Sequence, residues 1–285
     1  MEINFRNQEW KDAKVIFDFF RQETNCFDSN GRLCVQPKYV VAIDNDPVSA
    51  YYAADIMKQA KSQFGVYPKL LCVGGSSMLS KYLNRYEDDI ILSDGMKLRM
   101  VALRLGSFPV WVLDNGTNTE ANIKEIIDFL TIYNDYDAPL IFCVTQRLSK
   151  RLERTVAYST RQFPGTHPLN AYYYVPGEDI RDVCRLYNGM ALAGGLPLLS
   201  EAAALYDRVG TSRYVNRYIA EYDGMIPKYV MQAGMRLEEK YPLKVSQNIM
   251  TAPMQYANIY LSLLKNRKAI AEDLDDKIME WMQNF

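Results

Sequence analysis

The feature that most constrains this chain is a unit that recurs along it: a short apolar run, a polar turn, and then a segment with helical spacing. Its fullest copy is Val110-Trp111-Val112-Leu113, followed by Asp114-Asn115-Gly116 and a helix opening near Thr117. Four apolar residues in succession suit a strand covered on both faces, because a one-sided strand would alternate. Asp-Asn-Gly is turn chemistry, and Thr117 with Glu120 three residues on matches a capping box. Lys38–Ile43 is a second such strand, ending in Asp44-Asn45-Asp46-Pro47; from Val48 to about Ala60, Ala50, Ala53, Ala54 and Met57 share one side of a helix. Lys69–Val73 ends in Gly74-Gly75-Ser76-Ser77, and Leu140–Val144 ends in Thr145-Gln146-Arg147. Tyr172–Val175, closed by Pro176-Gly177, is a fifth run, and Asp94 to about Gly106 carries another helical pattern.

Strands alternating with helices of this length predict right-handed βαβ crossovers and an α/β fold on a mostly parallel sheet. Each strand then delivers its polar tip to the same carboxyl edge, where helix N-termini and free amides receive polar or anionic ligands. Residues 1–36 read as a leading helix, about Gln8 to Gln22, and a turn at Asp28-Ser29-Asn30-Gly31. Residues 37–178 read as the α/β domain. Beyond them the pattern turns helical, so 179–285 is expected to be a helical extension or small second domain, with Tyr206, Tyr214, Tyr218 and Tyr222 as packing residues.

At 285 residues and 48% hydrophobic content the chain can bury a large core. A formal net charge of −1 argues against nonspecific nucleic-acid binding or an anionic membrane surface, both of which need a cationic excess. No apolar run approaches the roughly 20 residues of a membrane span, and the first ten residues lack the apolar core of a signal peptide, so a cytoplasmic location is expected. Cys72 and Cys143 fall inside buried strands as small apolar filler. Cys26, Cys34 and Cys184 show no C-x-x-C spacing, and neither a zinc site nor a redox pair is indicated.

Several chemistries lack their residues. The first βα turn contains no glycine and the second strand ends in Gly74-Gly75 rather than an acid, so the dinucleotide fingerprint is missing. There is no P-loop, no H-E-x-x-H and no nucleophile elbow. His167 is the sole histidine, in the loop Phe163–Pro168, which excludes a multi-histidine metal site and leaves a Ser-His-Asp triad dependent on that one loop. No metal and no catalytic residue is assigned, although Asp44, Asp46 and Asp114 are of the type that holds a hard cation.

Taken in order, the strand tips resemble a known family. An Asn-containing turn after the first strand (Asp44-Asn45), a Gly-Gly pair after the next (Gly74-Gly75), and an acid opening the following helix (Asp94) come first. Then follow the loop Thr117-Asn118-Thr119-Glu120-Ala121-Asn122 and, after the fourth strand, Thr145 with Arg151. This set is similar to the SanA, ElyC and YdcF family of bacterial proteins over roughly residues 37–160, and lies nearest its soluble YdcF-like branch. The resemblance implies a three-layer Rossmann-like domain with a polar cleft, S-adenosylmethionine as the ligand of the YdcF-like branch, and a link of the anchored relatives to envelope biogenesis. Two departures stand out: Asp94 replaces the more usual Glu, and Gln146-Arg147-Leu148-Ser149 lacks the histidine many relatives carry.

The expected function is binding of a small nucleotide-like ligand at the carboxyl edge. Main-chain amides of Gly74, Gly75 and Gly116 are expected to approach it closely, since glycine lacks a Cβ. Asp44, Asn45, Ser76, Asp94, Thr117, Asn118, Asn122 and Thr145 complete the polar set, with Arg151 as a fixed cation for a carboxylate or phosphate. Solvation of Arg151 on its helix, and capping by Glu120 and Asn122, are the competing roles. Two alternatives stand beside ligand binding: a transferase or hydrolase of a phosphorylated or glycosyl envelope precursor using Asp44 or Asp94 as base, and a noncatalytic scaffold that binds protein through its helical half.

Overall fold

The structure, a computed structural model, describes residues 7–19, 21–43, 48–76, 93–161 and 167–177, together with 229, 232, 233 and 236. The chain divides into two compact units, Phe17–Glu178 and Met1–Ile16 with Asp179–Phe285.

In the first unit five strands form one all-parallel sheet: β1 (Tyr39–Ile43), β2 (Lys69–Val73), β3 (Val110–Leu113), β4 (Leu140–Cys143) and β5 (Ala171–Tyr174), in the order β3-β2-β1-β4-β5. Between them run α2 (Val48–Phe64), α3 (Asp94–Leu105), α4 (Thr119–Ile132) and α5 (Gln146–Arg161); α1 (Asn7–Phe19) precedes the sheet. The apolar runs of the central strands are covered on both faces. Val40, Ala42, Leu70, Cys72, Ile141 and Cys143 pack with α2 and α3, while Tyr39, Val41, Ile43, Leu71, Val73, Leu140 and Phe142 pack with α4 and α5. The period of two along each strand thus sends alternate residues into two separate cores, as a parallel sheet between helix layers requires. The architecture is a three-layer, Rossmann-like α/β fold.

The β5 edge is closed by the chain's own segment before β1. Asn25 N donates to Tyr173 O (3.1 Å) and Asn25 Oδ1 accepts from Tyr173 N (2.7 Å). Thr24 Oγ1 donates to Val175 O (3.0 Å) and accepts from Val175 N (3.0 Å). Side chains here take the place of ladder groups and satisfy an otherwise open edge.

In the second unit, Asp12 is buried and accepts from Arg236 Nε (2.9 Å) and Nη2 (2.6 Å). That guanidinium holds the Asp12 carboxyl below the usual carboxylate range. The helices expected beyond residue 179, and Tyr206, Tyr214, Tyr218 and Tyr222, lie outside the described residues apart from helical positions 229, 232, 233 and 236. No helix among the described residues is long and apolar enough to cross a membrane.

Candidate functional site

Ile43, Val73 and Leu113 are in register across β1, β2 and β3, and Cys143 lies level with Ala42, so these strands end together at one edge. Gly74–Ser76, Thr145 and the loop from Asp114 to Asn118 all leave from it, and α3 begins beside it, its Gly95 N donating to Gly74 O (2.6 Å). Asp44 and Asn45, together with Asp46, Pro47 and Ser77, lie outside the described residues.

At the β2–β3 half of this edge the loops close on one another. Gly74 N donates to Leu113 O (2.9 Å), extending the ladder, and Gly75 N donates to Gly116 O (2.7 Å). Gly74 has φ +146°, a conformation that favours glycine, and a Cβ on it would stand 3.0 Å from Asp94 Cβ. On Gly75 a Cβ would meet Asp114 O at 2.5 Å. Glu125, inside α4, reaches back so that its carboxylate accepts from Asn115 N (3.2 Å), Asn115 Nδ2 (2.8 Å) and Gly116 N (3.1 Å). Ser93 caps α3, accepting from Met96 N (3.2 Å), and its hydroxyl donates to Asp114 Oδ2 (3.1 Å).

These contacts correct two expectations. The amides of Gly74, Gly75 and Gly116 already have protein acceptors, so the close approach that demands glycine at position 75 is made by the neighbouring loop's backbone rather than by a ligand. The capping box of Thr117 and Glu120 does not form: α4 begins one residue later than it requires, and Asn118 is the cap, its Oδ1 accepting from Ala121 N (3.0 Å). Thr117 and Asn118 are exposed. Asn122 N donates to Asn118 O (2.9 Å), and its Oδ1 is a buried oxygen with no hydrogen-bond partner, set against Gly116, where an added Cβ would lie 2.7 Å from Asn122 N.

The β4 half is built differently. Thr145, 3% exposed, sits where α5 starts, and its carbonyl accepts from Leu148 N (3.2 Å) and Ser149 N (3.1 Å). Gln146 is buried and donates through Nε2 to Phe17 O (3.0 Å). Ser149 Oγ donates to Gln146 O (2.8 Å) and accepts from Gln22 N (2.9 Å). Arg151, in the second turn of α5, places Nη2 3.5 Å from Thr119 Oγ1 at the first residue of α4. That puts a guanidinium at the positive end of a helix, a pairing suited to an anion. Asp94 is buried at the first position of α3, and Ser76 is partly buried.

The structure therefore brings Gly74, Gly75, Asp94 and Gly116 together as one interlocked loop pair, and sets Thr145 and Arg151 on the β4 side. His167 is at the other end of the sheet, ahead of β5, where Nε2 pairs with Asp137 (2.6 Å) and Nδ1 lies 3.1 Å from Pro168 O. It serves no triad at the carboxyl edge. Sequence reasoning missed Glu125 and Ser93. Ser93 carried a signal, a serine directly before a helical pattern; Glu125 carried none, because its amide partners lie nine and ten residues back along the chain.

No family model, curated protein or solved structure matches the chain.

Proposed function

We propose that the protein binds a small anionic or nucleotide-like ligand at the carboxyl edge of its sheet, between the tips of β1 and β4. The observation that carries this reading is the strand order β3-β2-β1-β4-β5. The chain winds outward from β1 in one direction and from β4 in the other, and ligands of open α/β sheets enter the crevice where the winding reverses. α2 and α5 follow these two strands on opposite faces of the sheet, so their N-termini flank the same crevice. Asp44 and Asn45 at the end of β1 suit ribose or amide hydrogen bonding. Thr145 and Arg151 supply polarity on the β4 side, with Arg151 as the partner of a carboxylate or phosphate, and Asp94 stands beside the neighbouring β2 tip. Within this class S-adenosylmethionine is the first ligand to test, on the resemblance of the strand tips to YdcF-like proteins. The reading is a binding function in a cytoplasmic protein; it assigns no reaction.

The test is a thermal-shift and calorimetric screen of the whole chain against S-adenosylmethionine, nucleotides and sugar phosphates. A ligand at a hundred times its Kd stabilises the native state by about 2.7 kcal/mol. Arg151→Met is expected to weaken binding of the responding ligand at least tenfold while shifting the apo melting temperature little. Failure of every compound to stabilise the protein would sink the proposal, and so would a responding ligand whose affinity ignores Arg151. Turnover of a phosphorylated or glycosyl compound would favour the transferase or hydrolase alternative.

A further inference from the structure

The turn at Asp28–Gly31 brings together two thiols that no sequence motif pairs. Asp28 Oδ1 accepts from Asn30 N (2.8 Å) and Arg32 N (2.9 Å), and Asp28 N donates to Arg32 O (2.8 Å). Gly31 takes φ +72°, which a side chain rarely tolerates. The hairpin so formed pairs Phe27 with Leu33 in an antiparallel bridge. The next pair outward is Cys26 and Cys34, joined by Cys34 N donating to Cys26 O (2.9 Å).

Directly opposed residues of an antiparallel pair carry their side chains on one face, with Cβ atoms about 4.5–5.5 Å apart. Their Cα separation, about 5.5 Å at a hydrogen-bonded pair, falls inside the range a disulfide spans, and closing the bond requires the two Cβ atoms to draw about 1 Å nearer, to the roughly 3.5–4.5 Å of a disulfide. Both thiols are free in the structure. Cys34 is exposed, with Sγ 3.6 Å from Asn25 O, whereas Cys26 is fully buried and burial pushes its thiol up to about 12. Asn25, which directly precedes Cys26 and whose carbonyl lies beside Cys34 Sγ, is the residue that holds both polar backbone groups of Tyr173 on the β5 edge.

We propose that Cys26 and Cys34 are a redox-active pair, which a small-molecule disulfide such as glutathione disulfide converts to a cross-hairpin disulfide that locks residues 24–27 onto β5. The exposed Cys34 thiolate attacks one sulfur of glutathione disulfide, whose S–S bond breaks and releases one glutathione thiolate. Cys26 then gives up its proton, and its sulfur attacks Cys34 Sγ in the mixed disulfide, expelling the second glutathione thiolate. Two protein thiols become one disulfide, and one glutathione disulfide becomes two glutathiones. The second step is the slow one, because a buried thiol with a raised pKa offers little thiolate. Pairing of this kind needs no C-x-x-C spacing; the hairpin supplies the proximity.

The test uses the full chain equilibrated with glutathione disulfide, alkylated, and cleaved with trypsin. Arg32 lies between the two cysteines, so cleavage there leaves the peptide 22–32 joined to 33–38 only if the disulfide has formed. The expected result is that linked pair, its loss in Cys34→Ser, and a stable glutathione adduct on Cys34 in Cys26→Ser. Amide exchange at Tyr173 should slow on the order of tenfold in the oxidised parent, since the cross-link restrains the segment that must open. An oxidised parent that stops at the Cys34–glutathione adduct, a link from Cys34 to any other cysteine, or a linked pair with unchanged Tyr173 exchange each overturns the proposal. Should Cys26→Ser fail to fold, the parent and Cys34→Ser decide it.

Discussion

At the carboxyl end of β2 and β3 the turns meet backbone to backbone through Gly74, Gly75 and Gly116, whereas at the amino end the same region of sheet is tied together by long side chains. There Asp135 pairs with Lys38 and accepts from the Tyr39 hydroxyl, and Lys69 Nζ lies 5.3 Å from the Trp111 ring, 5.4 Å from Tyr133 and 5.6 Å from Tyr39. Lys38 chiefly, and Tyr39 after it, hold the Asp135 carboxyl below the usual carboxylate range. Burial, and then the hydrogen bond to Asp135, push the Tyr39 hydroxyl upward. The difference is one of slack. Backbone joined to backbone leaves spacing that only a missing Cβ satisfies, while flexible ammonium groups over aromatic rings can shift with modest loss and are screened by salt. The end joined backbone to backbone is the one from which the polar residues after β2 and β3 leave, beside the crevice proposed for the ligand.

The sharpest way to break this comparison is Gly75→Ala. The added methyl would stand 2.5 Å from Asp114 O, a backbone atom that cannot swing aside, so the two loops must separate. Overpacking of this kind costs about 3 kcal/mol. The expected outcome is a lower urea midpoint at an unchanged m-value. A loss below about 0.5 kcal/mol would show that the loops have slack after all.

Glu125→Ala comes next. It removes the acceptor for Gly116 N, which is partly buried, and for Asn115 N, which water can reach. One unsatisfied amide gives about 2 kcal/mol. Glu125→Gln keeps one acceptor oxygen and should lose less than half as much, measured by the same denaturation midpoint. Equal losses would mean that the carboxylate charge, rather than its bonds to the loop, holds the turn.

How far the sequence foretold these features follows their range along the chain. The strands were legible because Val40–Ile43, Leu70–Val73 and Ile141–Cys143 are covered on both faces and need no partner's identity to be recognised. The start of α4 was misplaced by one residue because Thr117 with Glu120 and Asn118 with Ala121 are overlapping cap patterns. Only the path of the loop from Gly116 decides between them. Glu125 and the ring cage around Lys69 were not legible. Their partners come from other elements, and only the parallel register that sets Leu70 beside Val110 brings Lys69 near Trp111. Of the site, the common edge at which the strands end was legible in the polar residues that follow them; those after β2, β3 and β4 fall within the described residues, at least in part, and those after β1 do not. The self-closure of the glycine amides was not, since a glycine pair reads alike whether it admits a ligand or its own chain.

The smallest expected effect tests the softer end and is a matter of pH. Asp135 has a native pKa below its ordinary value, so the folded protein binds a proton there less readily than the unfolded chain does. Its ion pair therefore contributes stability that is fully present above the unfolded-state pKa and is lost as pH falls through the lowered native value. Asp135→Asn keeps an acceptor for Tyr39 but removes the charge that pairs with Lys38. The parent should then melt slightly higher than Asp135→Asn at neutral pH, with the gap closing in strong acid and shrinking in high salt, as partly exposed ion pairs do. Melting curves of both proteins from neutral pH down through the carboxylate range, at low and high ionic strength, provide the check. A gap that persists in acid, or that salt leaves unchanged, would mean that Asp135 acts through its shape and the Tyr39 hydrogen bond rather than its charge. The amino end would then be as stiffly built as the carboxyl end, and the contrast between them would fall.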